Sequence, residues 1–331
     1  MNENPLGVSP WVRKVLHNTA TLCHMYPYPA IGQLKNAISR YFDIHPSEVI
    51  LGAGSTDVLR IAMDVLSKEA TQLVCPAPGF KAAEVLAHGL GMPIHACYFG
   101  STEDIPLAAM RKTVESHPGV SIVYLSHPDC YSGSVLPFEW LADWIASLEG
   151  RAYVIVDEAY IEFTQGRNVS SLVALVRRGI PHVFVLRTFS KAYGLAGLRV
   201  GYGIGQLAQR PDIVARSSLS CPLSLPAAHA ALAALDNPEW LEHSLWLLSV
   251  ARDMLTEGLT RLGLSFIAGP VNFLLHRIPD GCNADFVRTI EALGIRILGH
   301  IEGLPEFCRV TIGCAEDVHA YLIALNKLLR K

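Results

Sequence analysis

The chain has 331 residues and a formal net charge of -3, a length that accommodates two domains. Half of its residues are hydrophobic and 17% are charged, so it can bury a large core, and general disorder is excluded. Its 27 basic residues are scattered, which argues against an electrostatic nucleic-acid surface and against a polybasic membrane anchor.

In chain order, the opening MNENPLGVSP carries neither a basic n-region nor an apolar h-region, so no signal peptide is expected and a cytoplasmic location is. Eight cysteines occur without CxxC pairs, Cys75 and Cys97 among them in apolar segments. This favours buried reduced thiols over a disulfide framework or a zinc knuckle, and no metal is expected. From about Ile50 to Gly205, short apolar runs alternate with helical patterns. The runs are Thr71–Cys75, Ser121–Ser126, Ala152–Asp157, His182–Arg187 and Leu198–Gly203. Their hydrophobicity is continuous rather than alternating, as in strands covered on both faces. Amphipathic helices are predicted near Thr56–Leu66, Phe80–Leu90 and Phe138–Leu148. Such alternation predicts an α/β fold with a mainly parallel central sheet between helices.

The charge-free stretch Ser217–Leu235 contains serines, two prolines and a histidine. It reads as a loop leading into a buried helix rather than a bilayer span. After Asn237 the texture becomes α+β, as in a smaller second domain. A long helix is predicted over Glu239–Leu262, strands over Ser265–Ala268 and Asn272–His276, and a helix near Ala284–Leu293. Strand-like pieces follow at Arg296–Leu298 and Phe307–Ile312, with a closing helix over Ala315–Leu329.

In an open parallel sheet, ligands collect at the carboxyl ends of the strands. Val154-Ile155-Val156 runs into Asp157-Glu158-Ala159-Tyr160, and Phe184-Val185-Leu186 runs into Arg187-Thr188-Phe189-Ser190-Lys191. Leu51-Gly52-Ala53-Gly54 runs into Ser55-Thr56, which open a helix. One crevice can thus hold a carboxylate, a phenol, a lysine and a helix N-terminus. Each part has a plainer explanation. Ser55 and Thr56 suit an ordinary N-cap as well as an anion site. Asp157 suits a turn, and Lys191 a solvated surface.

Taken together these residues meet a known pattern. The segment RTFSKAYGLAGLRVGY, Arg187 to Tyr202, closely resembles the lysine segment of fold-type I pyridoxal-phosphate enzymes, and VDEAYIEF, Val156 to Phe163, resembles the preceding strand. The match is nearest to the histidinol-phosphate aminotransferase group and its threonine-phosphate decarboxylase relative. NENPLGVSP, the MYPYP around Tyr26, VNFLL at Val271 and CRVTIG at Cys308 also look like that group, in the expected order. The resemblance implies a large cofactor domain over residues 26–237, with 1–25 and 238–331 forming the small one. It implies pyridoxal 5'-phosphate as cofactor and transamination between a small-molecule amino donor and a keto-acid acceptor.

By the same resemblance, Lys191 is the Schiff-base lysine and later proton shuttle. A desolvated lysine beside cationic and polar neighbours gains a free-amine fraction near neutral pH. Asp157 pairs with the pyridine nitrogen, keeping the ring an electron sink. Tyr160 hydrogen-bonds the 3'-oxygen. Ala159 lies under the ring and Phe80 above it. Ser55, Thr56, Ser190 and Arg199 form the phosphate cup, where a guanidinium fork suits phosphate oxygens. Tyr26 reaches the cofactor of the neighbouring subunit, which implies a homodimer. Arg309 clamps the substrate carboxylate; without the surrounding motif it would read as a surface arginine.

The chain also departs from the pattern. Where the family carries an NPNNPTG-like loop, this chain reads His127-Pro128-Asp129-Cys130-Tyr131-Ser132-Gly133. Cys130 replaces the asparagine that donates to the 3'-oxygen, and a thiol is a much weaker donor than an amide. Thiol catalysis by Cys130 with His127 and Asp129 has only sequence adjacency in its favour, which is not geometry. Leu298 stands where relatives place an arginine for the substrate phosphate, while Arg296, two residues earlier, shares its face in a strand and can substitute. A substrate without phosphate is therefore expected. Ala83 replaces a common tyrosine, and Leu223-Ser224 a Tyr-Asn pair. Decarboxylation, racemisation and cyclisation on the same fold remain open. A nucleotide-binding oxidoreductase explains the alternation and the glycines but not Asp157, Tyr160 and Lys191 in order, and the first βα turn lacks G-x-G-x-x-G. A non-catalytic regulator with the same fold would carry an appended DNA-binding region, and none is visible.

Overall fold

A computed structural model of the chain describes residues 2–99, 105–167, 169–218, 221–278, 283–299 and 301–329. Helices α1 (Pro10–Thr19) and α2 (Tyr28–Phe42) precede the sheet. Ser9 caps α1 by accepting from the Val12 N–H, with Pro10 preset for the first helical turn. The chain then alternates through β1 (Val49–Gly52), α3 (Ser55–Leu66), β2 (Ala70–Ala77), α4 (Lys81–Gly89), β3 (Ile94–Tyr98), α5 (Leu107–Ser116), β4 (Val120–Ser126) and α6 (Phe138–Ala146). It continues through β5 (Ala152–Asp157), α7 (Val173–Arg177), β6 (Val183–Thr188), β7 (Gly201–Ile204) and α8 (Pro211–Ser218) to α9 (Leu225–Leu235).

Seven strands form one sheet in the order β1-β7-β6-β5-β4-β2-β3. The pairs β2–β3, β2–β4, β4–β5 and β5–β6 are parallel, while β7 runs against both β1 and β6. The continuous apolar runs have a direct cause, since successive side chains enter cores on opposite faces. Val123, Val154, Val156 and Val185 enter one core. Ile122, Tyr124, Ile155, Phe184 and Leu186 enter the other. The charge-free stretch does lead into a buried helix, α9, which Ser224 caps by accepting from the Ala227 N–H.

The remaining chain forms α10 (Pro238–Arg261), β8 (Phe266–Ile267), β9 (Phe273–Arg277), α11 (Asn283–Ala292), β10 (Phe307–Thr311) and α12 (Ala315–Leu329). The three strands make an antiparallel sheet, β10-β9-β8, with its own core of Leu255, Leu259, Leu274, Ile290, Val310 and Leu325. Leu6 packs on this small core, whereas Val12 of α1 belongs to the large one. Among the described residues no helix is long and apolar enough to cross a membrane.

Two expected strands change. The run at Leu198–Gly203 begins instead as a 3-10 turn over Ala196–Leu198, and Arg199 takes a left-handed φ of 54° before β7 starts. Arg296–Leu298 is not a strand; only Leu298 bridges, to Arg309. Its neighbours lack a ladder, so strand-like sharing of a face between Arg296 and Leu298 does not hold.

Candidate active site

The carboxyl ends of β4, β5 and β6 carry Ser126, Asp157 and Thr188, and Ser126 and Asp157 are register partners. Together with the start of α3 they open onto a cavity of about 520 Å³. Ser55, Thr56, Phe80, Cys130, Asp157, Ala159, Tyr160, Ser190, Lys191 and Arg199 all line it. Residues as far apart in the sequence as Glu3 and Arg199 therefore share one site.

Asp157 is buried at 5% exposure. Its Oδ2 accepts from the Tyr124 phenol at 2.9 Å and its Oδ1 from the Ala159 N–H at 3.0 Å. Burial pushes its carboxyl up to about 6, although Tyr124, the Ala159 amide and the Lys191 charge each pull it down. Lys191 is shifted the other way. Burial lowers it first, the Arg309 charge lowers it further, and Asp157 opposes both. Its Nζ stands 5.6 Å from the centre of the Tyr160 ring.

The start of α3 is built to receive an anion. Gly54 precedes it at φ 88° and offers no side-chain cap; the Gly54 carbonyl takes the Asp57 and Val58 amides, leaving those of Ser55 and Thr56 for an anion. A Cβ on Gly54 would lie 2.2 Å from Arg199 Nη2, and one on Gly201 would lie 2.1 Å from the Ser55 nitrogen. The two glycines thus let the guanidinium and β7 close around the helix end. Arg199 Nη1 donates to Ser190 Oγ at 3.3 Å and to the Ala196 carbonyl at 2.9 Å. Thr188 Oγ1 donates to Ser190 Oγ at 3.0 Å. Phe80 stacks on Tyr124, ring centres 6.4 Å apart.

Cys130 lies at the cavity wall with its N–H donating to Ser126 Oγ at 3.0 Å. Burial raises its thiol well above the ordinary range, the reverse of an activated nucleophile. Burial pushes His127 down to about 4, and the Leu136 backbone engages its Nε2. The Cys-His-Asp adjacency therefore gives no catalytic set. Arg309 Nη1 donates to the Cys130 carbonyl at 2.8 Å, and its guanidinium packs 5.2 Å from the rings of both Tyr131 and Phe273.

Three expected residues are absent from the cavity lining: Tyr26, Arg296 and Arg309, although the Arg309 charge acts on Lys191. Tyr26 is 75% exposed and stacks on Tyr28. Arg296 is exposed and absent from the cavity lining. Leu298 pairs directly with Arg309 through two backbone hydrogen bonds, of 3.0 and 2.8 Å. Ala83 is buried on the inner side of α4, and Leu223 is buried ahead of the α9 cap.

Reading the sequence missed several lining or supporting residues: Glu3, Tyr124, Ser126 and Thr188 in the cavity wall, and Asn2, which donates to the Tyr160 phenol at 3.0 Å. A tyrosine inside an otherwise aliphatic buried run was the available signal for Tyr124, since a buried phenol needs a polar partner.

The donor set fits pyridoxal 5'-phosphate, a flat cationic ring carrying a phosphate. Asp157 is a buried carboxylate with no hydrogen-bonded cation among the described residues, as a protonated ring nitrogen requires. Hydroxyls, amides and Arg199 offer donors for the phosphate, and a lysine with a lowered ammonium lines the same cavity. Sheet, cavity and donor set together define a cofactor enzyme of the aminotransferase class. A family model described as aminotransferase class I and II matches residues 1–325, and the chain belongs to that family, the pyridoxal-phosphate-dependent aminotransferases of fold type I.

The chain is 32% identical over 337 residues to histidinol-phosphate aminotransferase 2 of Ralstonia nicotianae, covering 99% of this chain and 87% of the relative. It is 31% identical over 331 residues to histidinol-phosphate aminotransferase 1 of Thiobacillus denitrificans, with 99% and 84% covered. A candidate histidinol-phosphate aminotransferase of Erwinia carotovora atroseptica has a similar structure, with TM-score 0.94 at 25% identity over 100% of this chain and 95% of that one. The histidinol-phosphate aminotransferase of Sinorhizobium meliloti, solved in complex with pyridoxal-5'-phosphate, gives TM-score 0.89 at 23% identity over 99% and 89%. These relatives are named for a phosphate-bearing substrate, whereas the departure at Leu298 led to the expectation of a substrate without phosphate.

Proposed function

We propose that the chain moves the amino group of a phosphate-bearing amine, of the histidinol-phosphate kind, to a keto-acid acceptor in amino-acid biosynthesis. The convergence of Lys191, Asp157 and Arg199 on one cavity carries the reading, and the named relatives supply the substrate class.

Bound pyridoxal 5'-phosphate supplies an aldehyde for the amine and an electron sink for the bond that breaks. Lys191, its ammonium lowered by burial and by Arg309, provides a neutral amine that holds the cofactor and then carries a proton. Asp157 balances the charge of the ring nitrogen. Ser55, Thr56, Ser190 and Arg199 hold the phosphate, and Phe80 and Ala159 bound the ring. Tyr160 donates at the 3'-oxygen, with Cys130 beside it. Arg309 binds the carboxylate of the acceptor. Arg296 is given no part.

The functional unit in this reading is a cytoplasmic homodimer in which Tyr26 serves the neighbouring cavity. Exposed Trp11, Tyr26 and Tyr28 near the N-terminus support it. In this reading the chain divides into a large body of residues 26–237 and a small one of 1–25 with 238–331, from which Glu3 reaches the cavity wall. Leu6 on the small core supports it, whereas α1 of the same segment packs against the large one.

The test is an amine panel with a keto-acid acceptor, followed by borohydride reduction and peptide mapping. The proposal expects turnover of histidinol phosphate in preference to histidinol, and a reduced label on Lys191. Turnover confined to amines without phosphate would remove the substrate assignment. An unlabelled Lys191 would remove the site.

A further inference from the structure

The Asn2-Glu3-Asn4 opening has no part in the function above, yet it is stitched into the site. Asn2 is 2% exposed. Its Nδ2 donates to the Tyr160 phenol oxygen at 3.0 Å, and its Oδ1 accepts from Thr311 Oγ1 at 2.9 Å. Its carbonyl accepts from Asn272 Nδ2 at 3.2 Å. Asn4 Nδ2 donates to the carbonyl of Ala192, the residue after Lys191, at 2.9 Å. Thr311 and Asn272 belong to the small sheet and its lead-in, so Asn2 joins that sheet to the phenol at the cavity wall.

A phenol has one hydrogen to give and two lone pairs to offer. The Asn2 amide fills a lone pair of Tyr160, and no described residue takes the phenol's hydrogen. The hydrogen is left for the cavity that Tyr160 lines. Cys130 clusters with Tyr160 in the same wall, and its thiol is a weak donor. Tyr160 is therefore the strong side-chain donor there.

We propose that Asn2 is a positioning residue for Tyr160: its amide fixes the phenol so that the hydrogen points into the cavity, at the cofactor's 3'-oxygen. The inference rests on the reading that Tyr160 faces that oxygen. The other charged or titratable groups facing Tyr160 are Cys130, Asp157, Arg309, Lys191 and Tyr124, and none of them is altered by changing Asn2.

A hydrogen bond to an anion favours the anion. Without a directed phenol hydrogen, the bound cofactor keeps its titrating proton to higher pH. The experiment is a pH titration of the visible absorption band of the holoenzyme and its variants. Asn2→Ala is expected to raise the midpoint by about one pH unit. Asn2→Asp is expected to raise it further, because a carboxylate only accepts and draws the phenol's hydrogen away. In a Tyr160→Phe background the effect of Asn2→Ala should disappear, as a coupling through the phenol requires. Thr311→Val keeps Asn2 but frees its side-chain oxygen Oδ1, and a smaller upward shift is expected; this variant decides the matter if the Asn2 variants do not fold. Midpoints equal to the parent's, or a shift that persists without the phenol, overturn the inference while leaving the cofactor assignment intact. A parent enzyme without the visible band overturns the assignment and the inference together.

Discussion

Tyr124 and Asp157 meet at the carboxyl end of the sheet, where the Tyr124 phenol donates to Asp157 Oδ2 at 2.9 Å. Tyr124 is 1% exposed and Asp157 5%, so the bond is made out of water, between strands β4 and β5 that pair in register. A hydrogen bond to a charged group contributes about 1.5–3 kcal/mol. Tyr124→Phe removes the donor and keeps the ring, which raises the Asp157 carboxyl further. Cofactor binding must then ionise it, so affinity should fall roughly tenfold at pH 6 and less at pH 8. Titration of stripped enzyme with cofactor at the two pH values measures this. Equal losses at both would contradict the account.

The stripped protein should also show the cost of that carboxyl in its stability. Burial holds Asp157 at about 6 against an ordinary 3.8. Between those values the native state binds more protons than the unfolded chain. Its contribution is therefore favourable in acid and is lost as pH rises from about 4 to about 6. Asp157→Asn lacks a titrating group, so its stability should not carry this decline. Urea unfolding of both stripped proteins across that range compares them, and parallel curves would refute the assignment.

Cys130→Asn replaces a weak donor by an amide at the cavity wall. If position 130 faces the 3'-oxygen, the amide stabilises the anion. The pH midpoint of the visible band should then move down by about half a unit to one unit. A spectrophotometric titration of the two holoenzymes reads it directly, and coincident midpoints would place position 130 away from that oxygen.

Arg187 lies four residues before Lys191 and is buried with two carboxylates. It meets Glu158 Oε2 at 2.9 Å and Glu162 Oε1 at 2.8 Å. Glu158 is further held by Ser171 Oγ and the Leu172 N–H, both at 2.6 Å. Arg187→Ala would leave two buried acids without their cation and should destabilise the fold by about 3–5 kcal/mol. Arg187→Lys should recover only part, since one ammonium cannot reproduce the two-pronged guanidinium geometry. Chemical denaturation of the holoenzymes gives both values, and a loss below about 1 kcal/mol for Arg187→Ala would mean that water has replaced the cation.

The buried strands were legible because a sheet covered on both faces demands unbroken apolar runs, and Ala152–Asp157 emerged with its expected limits. Lys191 and Asp157 were legible because strand ends place their residues locally, and Arg199 through the resemblance of its segment. Arg296 was misjudged for the opposite reason. Its face depended on a strand, and only Leu298 forms a bridge there. Tyr124 and Asn2 were not legible as site residues, because their partners lie 33 and 158 positions away.

By itself, then, the order of residues determined the alternating elements, the segments that line the cavity and the family, since each depends on periodicity or on neighbours within a few positions. Only the tertiary structure decided which hydroxyl feeds Asp157, which amide holds Tyr160, and that Cys130 is a buried, unactivated thiol. Those are properties of distance and desolvation between segments remote in the chain, which are fixed when the sheet closes.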